Sequence, residues 1–256
     1  MEQKTLFIDP NDYQDAILTI HAGAGGVDAM DWAEDLERMY LRWLSKMNFK
    51  ISIEDRMEGE AGIKRSVIEV CGPYAYGYLR SEVGVHRICH ISKFDSNHKK
   101  HTSFASVDLT PIYEKVNIEI KDSDLEIEVM RSQGPGGQSV NTTNSAIRVR
   151  HKSTGLFVKC QSSKSQIQNK KKAIQLLSSK LQALEDNKQK VSCDKPDISF
   201  GHQIRTYISE PYQMVTDHRT GFKSSGINAI LDGNLMPLIE AYLRTYSNQY
   251  EEKNGT

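Results

Sequence analysis

No run of 18 apolar residues occurs in the 256, which excludes a conventional membrane-spanning helix. The opening MEQKTLFIDPNDYQD has no apolar core of the sort a secretory signal carries, and no Arg-rich, acid-poor leader is visible. The expected compartment is the cytoplasm or, in a eukaryote, an organelle matrix or stroma. Cysteine is scarce. Cys71, Cys89, Cys160 and Cys193 stand apart, with no CxxC pair and no histidine cluster at zinc-finger spacing, so reduced thiols are expected, and no disulfide framework, metal or cofactor. A third scarcity is local. Between Arg131 and Arg148 lie sixteen residues, SQGPGGQSVNTTNSAI, without one Asp, Glu, His, Lys, Cys or Tyr. Proton transfer and nucleophilic attack at neutral pH call on such side chains, so the segment looks chemically inert. Three glycines and a proline nevertheless fill positions 134–137, just before Gln138.

The formal net charge is zero, but it is unevenly spread. Residues 1–75 carry 14 acidic against 8 basic side chains, a net of −6, whereas 129–190 carry 12 basic against 2 acidic, a net of +10. A basic block alone usually marks a solvated face. One that surrounds a glycine loop favours a polyanion, and nucleic acid in particular.

The periodicity gives an α+β protein. AILTI alternates as a strand and breaks on glycines. DAMDWAEDLERMYLRWLSKM then places Trp32, Leu36, Met39, Tyr40, Trp43 and Leu44 at helical spacing, with Asp28 as candidate N-cap. The glycines before it leave backbone N–H groups at the helix start open to an acceptor, although on these residues alone an ordinary β-α turn is the simpler reading. FKISIED, RSVIEVCG and FASVDLTP read as strands, followed by VNIEI, LEIEV, AIRVRH and GLFVKCQ. QNKKKAIQLLSSKLQALED is an amphipathic helix on Ala173, Ile174, Leu176, Leu177, Leu181 and Leu184. DNKQKVSCDKPDIS reads as a hinge, GHQIRTYIS as a strand, and NAILDGNLMPLIEAYLRTYSNQ as a final helix interrupted near Pro237. Two bodies are expected. Residues 1–114 begin a discontinuous α/β unit that 194–256 completes, and 115–193 form a small basic β-rich unit with one helix.

The ordered series HAGAGGVDAMDW, EGEAGIKR, GPYAYGYLRSEVGVHR, FDSNHKKHTSF, GPGGQSVN, RVRHKSTGLFVKCQSSKSQIQNK and DHRTG resembles the class I peptide chain release factors of bacteria and organelles, the release factor 2 branch in particular. The likeness covers about 16–244. A lone GGQ means little, whereas seven motifs in family order are specific. The resemblance implies a termination factor that recognises UAA and UGA in the ribosomal A site and promotes hydrolysis of the peptidyl-tRNA ester, with no autonomous active site of its own.

The site residues follow from the same resemblance. Gly136, Gly137 and Gln138 would enter the peptidyl transferase centre, the glycines permitting a close backbone approach. The Gln138 backbone N–H would donate to the oxygen that gains charge, and its side chain would seat the water. Gln138 would be the N5-methylation site of a glutamine methyltransferase. Arg131, Arg148, Arg150, Lys152, Lys164, Lys170, Lys171 and Lys172 would contact ribosomal RNA phosphates. Gly25, Gly26, Asp28, Ser92, Phe94, His101 and Thr102 would recognise the messenger RNA stop codon, His101 by stacking on a base. Phe200 would serve a switch segment, about 188–201, where the family often has tryptophan.

Two departures from the family stand out. Its Ser-Pro-Phe tripeptide is Ser92, Lys93 and Phe94 here, so the expectation is a backbone freed at position 93 and a charge beside messenger RNA phosphates. The family also normally begins with a helical domain of roughly one hundred residues. The sequence starts almost directly at the decoding part, so that domain is expected to be missing and dependence on a recycling GTPase stays open. Two other functions are weighed. A codon-independent rescue hydrolase would lack the decoding unit and end in a basic tail, unlike YSNQYEEKNGT. A non-catalytic RNA- or ribosome-binding paralogue has no need of an intact PGGQ.

Overall fold

The computed structural model of the chain describes residues 6–97, 99–113, 121–131, 145–163, 165–189, 203–210 and 212–254. In chain order its elements are β1 (Asp15–Ala22), α1 (Val27–Lys46), β2 (Lys50–Glu58), β3 (Ile63–Cys71), α2 (Ala75–Leu79), β4 (Gly84–Ile91), β5 (Lys100–Ile112), β6 (Leu125–Met130), β7 (Ala146–His151), β8 (Phe157–Cys160), α3 (Gln166–Gln189), β9 (Gln203–Ile208), β10 (Met214–Asp217), β11 (Lys223–Ser224), α4 (Ile227–Leu231) and α5 (Met236–Asn254). Eight strands form one sheet in the order β11-β10-β9-β4-β5-β1-β3-β2, and β6-β7-β8 form a second. All pairs are antiparallel except β4 with β9. A parallel pair needs a long crossover, and here the crossover contains the whole second sheet and α3.

Strand alternation explains how the two bodies meet. Along β1, Ala16, Leu18 and Ile20 point to the face covered by α1, where they pack with Trp32, Leu36 and Trp43. Ile17 points the other way. With Val67 of β3 and Ile112 of β5 it joins Ile147, Val149, Val158, Leu176 and Leu177 of the second body. The large sheet is therefore covered on both faces. Burying each large apolar side chain contributes about 1.5–3 kcal/mol. The helical stripe read in α1 is buried along its whole length, with Trp32, Leu36, Met39, Tyr40, Trp43 and Leu44 each at most 1% exposed.

The crossing of β4, β9 and β10 is held by charge in a dry interior. Arg205 and Glu82 are fully buried, and the Arg205 guanidinium donates to both Glu82 oxygens, at 2.7 and 2.9 Å, and to Asp217 Oδ2 at 3.2 Å. Arg219 donates to the same Asp217 oxygen at 2.8 Å, and Tyr40 Oη donates to Glu82 at 3.0 Å. The DHRTG motif thus does structural work here. His86 sits in the same pocket, where burial pushes its pKa down to about 4 with help from Arg205.

The structure corrects some element readings. The last helix is interrupted at Asp232 to Leu235, just before Pro237, and Pro237 falls in the first turn of α5, where a missing N–H costs nothing. Helix α3 runs to Gln189, into the segment read as hinge, and Leu184 on it is 38% exposed. The short strands β10 and β11 were not read from the sequence. The VNIEI strand lies outside the described residues.

Arg205→Met should leave buried Glu82 without a cation, Asp217 keeping Arg219, and lower the unfolding free energy by about 3–5 kcal/mol, measured as a shifted urea midpoint. Arg219→Met, at a partly exposed position, should cost clearly less.

Candidate functional site

The glycine turn between β1 and α1 is fixed by backbone contacts with β5. Gly23 N–H donates to Phe104 O at 2.8 Å, and Phe104 N–H to Ala24 O at 2.9 Å. Gly25 then turns at φ +131°, and a Cβ there would lie 2.8 Å from Ser103 Oγ, so the position requires glycine. Gly26, at φ 61°, is the N-cap of α1, and no side chain caps the helix. Asp28 is therefore not the N-cap expected from the sequence. It sits in the first turn, 6% exposed, with its carboxylate turned toward the β4–β5 hairpin.

Three side chains of that hairpin converge on this one carboxylate. Ser92 Oγ–H donates to Asp28 Oδ1 at 2.7 Å, His101 Nδ1 lies 2.8 Å from Oδ2, and His90 Nε2 lies 3.3 Å from Oδ1. Ser92, 1% exposed, also accepts the Phe94 backbone N–H at 3.1 Å, and the Phe94 ring is left 49% exposed. Burial would raise the Asp28 pKa, but the bonds from Ser92, His101 and His90 outweigh it and hold the carboxyl below its usual range.

His101 is gripped on both sides, since its Nε2 lies 3.2 Å from Asp95 Oδ2. With a carboxylate at each nitrogen both must donate, which is the imidazolium form. The bond to Asp28, reinforced by Asp95, raises its pKa above the ordinary 6.5. Thr102 stands beside it, its Oγ1 3.7 Å from Cys89 Sγ across the hairpin. Gly25, Gly26, Asp28, Ser92, Phe94 and His101, far apart in sequence, are thus brought together, whereas Thr102, next to His101 on β5, faces the other side of the sheet with Cys89. His90 and Asp95 belong to the same cluster and were not singled out. His90 pairs with His101 across the hairpin, a register that no local sequence pattern gives.

Comparison with known proteins decides the family. The PCRF domain matches residues 1–107 and the RF-1 domain residues 114–219. Peptide chain release factor 2 of Thermomicrobium roseum is 46% identical over 98% of this chain and 69% of its own length. That of Kosmotoga olearia is 44% identical over 98% and 70%. The chain belongs to the peptide chain release factor 2 family. It is a translation termination factor, and its fold matches RF2 of Thermus thermophilus with a TM-score of 0.87 at 44% identity, over 96% of this chain and 72% of the other.

The second body of this release factor carries the loop. Met130 pairs with Ala146, so the two strands flanking 131–145 present the ends of that segment side by side. Buried Asn169 of α3 braces the returning end, donating to Ser145 O at 2.8 Å and Ser163 O at 2.7 Å and accepting the Ser163 N–H at 2.9 Å. Gly136, Gly137, Gln138, Lys164 and Phe200 lie outside the described residues.

The basic side chains are not one patch. Arg148 and Arg150 share the outer face of β7, Arg148 over the Phe157 ring at 4.3 Å and 3.6 Å from Glu128. Lys170 and Lys171 are exposed on α3, which covers the opposite face, and Arg131 is exposed just beyond β6. Lys152 donates to Ser123 O at 2.6 Å. Lys172 departs from expectation, for it lies 2.7 Å from both Glu54 and Glu69 and ties α3 to the β2–β3 hairpin. Glu54 is fully buried and also accepts from Cys160 Sγ. In this arrangement Lys172 is engaged by two carboxylates of the protein itself. Among the described residues no cluster could hold a metal, and no helix is long and apolar enough to cross a membrane.

The raised pKa of His101 fixes a sign. Its contribution to the clamp is complete below pH 6.5 and fades as pH rises through the raised folded value. An NMR titration of the imidazole should therefore show His101 losing its proton above 6.5, and Asp95→Asn should move that midpoint down. A midpoint at or below 6.5 would contradict the two-carboxylate grip.

Proposed function

We propose that this release factor reads UAA and UGA in the ribosomal A site with the start of α1 and the β4–β5 hairpin, and promotes hydrolysis of the peptidyl-tRNA ester with Gly136, Gly137 and Gln138. The observation that carries the reading is the convergence of Ser92, His101 and His90 on Asp28. It leaves an exposed aromatic ring, a charged imidazole and an uncapped helix N-terminus on one surface, which are groups suited to stacking and hydrogen bonding with unpaired bases.

Hydrolysis in this reading needs no titratable side chain. A backbone N–H placed where negative charge develops stabilises the transition state, while the Gln138 amide seats the attacking water. Ribosomal RNA and the tRNA hydroxyl complete the site. Arg131, Arg148, Arg150, Lys152, Lys164, Lys170 and Lys171 steer the second body by phosphate contact, a glutamine methyltransferase modifies Gln138, and Phe200 belongs to the segment that links decoding to hydrolysis. The domain assignment goes with it: 1–114 and 194–256 decode, 115–193 hydrolyse.

Ribosomes carrying peptidyl-tRNA, with UAA, UGA, UAG, a sense codon or no codon in the decoding site, test the proposal. Release at UAA and UGA alone is expected. Gln138→Ala should slow it on the order of a hundredfold to a thousandfold at saturating factor with ribosome binding retained. Release without a codon would instead indicate a rescue hydrolase.

A further inference from the structure

Lys93 occupies the place where the sequence departs from the tripeptide of its family, and the structure does not leave it free. Its Nζ lies 3.1 Å from Asp31 Oδ2 and 3.5 Å from Oδ1. Asp31 follows Asp28 by three residues on α1, so the two carboxylates stand one turn apart on the same side of the helix. The neighbouring residue Ser92 bonds to Asp28. Two consecutive hairpin residues are thus fastened to two consecutive turns of α1, and a large swing of the peptide between them breaks one attachment. Phe94 follows, because its N–H is bonded to Ser92 Oγ.

The charges around Lys93 favour this partner. Asp31 and Asp35 attract the ammonium and Arg38 opposes it, while Arg38 is itself engaged with Asp35 at 2.5 Å. Asp31 is left as the main anchor.

We infer that Lys93, through its ion pair with Asp31, is a positioning residue for stop-codon discrimination, restraining the 92–94 backbone by an electrostatic tether where a proline would restrain it covalently. The inference rests on the reading of the hairpin as the decoding element. The tether has a property that a ring lacks. The Lys93 side chain is 69% and the Asp31 side chain 24% exposed, so salt screens their attraction. An exposed pair of this kind changes an equilibrium by up to about fivefold.

The test is the discrimination ratio, kcat/KM for release at UGA divided by that at UGG, measured with the full chain on ribosomes at low and high monovalent salt. Lys93→Ala and Asp31→Asn should each lower the ratio at low salt by about twofold to fivefold, the double variant no further, and Lys93→Arg should keep it. High salt should bring the unaltered chain down to the Lys93→Ala level and leave the ratio of Lys93→Pro unchanged. The kcat at stop codons should be the same throughout, a split that general destabilisation would not produce. If Asp31→Asn keeps the full ratio, or its effect adds to that of Lys93→Ala, the tether is overturned while the decoding reading stands. If the unaltered chain releases at no stop codon, that reading fails first and this one with it.

Discussion

A single buried carboxylate organises the surface proposed to read the codon. Asp28 is in the first turn of α1, where the helix dipole favours negative charge, and it accepts from a serine and two histidines that the sequence places more than sixty residues away. Hydrogen bonds to a charged acceptor are stronger than neutral ones, so the hairpin is held to the helix more firmly than a loop of eight residues between two strands would hold itself. Everything that gives the carboxylate its address is backbone: the bonds of Gly23 and Ala24 to Phe104, and the φ of Gly25 that lets β5 approach within contact of the turn.

The same sheet carries the second body on its other face, and the two are joined by oil and charge together. Ile17, Val67 and Ile112 continue the apolar core of β6-β7-β8 and α3, and Lys172 satisfies buried Glu54 at the border. A buried pair of this kind is weak evidence for stability in itself, but removing one partner is costly. It therefore specifies where α3 can sit. The ends of β6 and β7, where Met130 pairs with Ala146, belong to the body so placed.

Much of the fold was legible because burial follows simple periods. The α1 stripe from Trp32 to Leu44 reads at 3.6, and β1, β2, β3 and β5 read as strands, whereas β4 did not. What failed to read was set by distance in sequence or by chemistry common to many sites. Lys170, Lys171 and Lys172 look alike as a run, and only the fold turns the third toward Glu54 and Glu69. Asp28 has the composition of a cap, but Gly26 takes that place and frees the carboxylate for the hairpin. The tether of Lys93 to Asp31 spans 62 residues, which no local pattern encodes. The candidate decoding residues carried no signal of their own, and only their ordered motifs pointed to them.

The central claim is that the Asp28 carboxylate assembles the decoding face and takes no part in the hydrolytic step, and Asp28→Asn measures it most directly. An amide keeps the size, offers one acceptor, and sets an N–H₂ against donors already present. The account predicts that the kcat for release at UAA is retained while discrimination between UAA and sense codons falls on the order of tenfold to a hundredfold, in a protein whose thermal unfolding is little changed. Undiminished discrimination in that variant, or a loss of kcat at every codon alike, would contradict it.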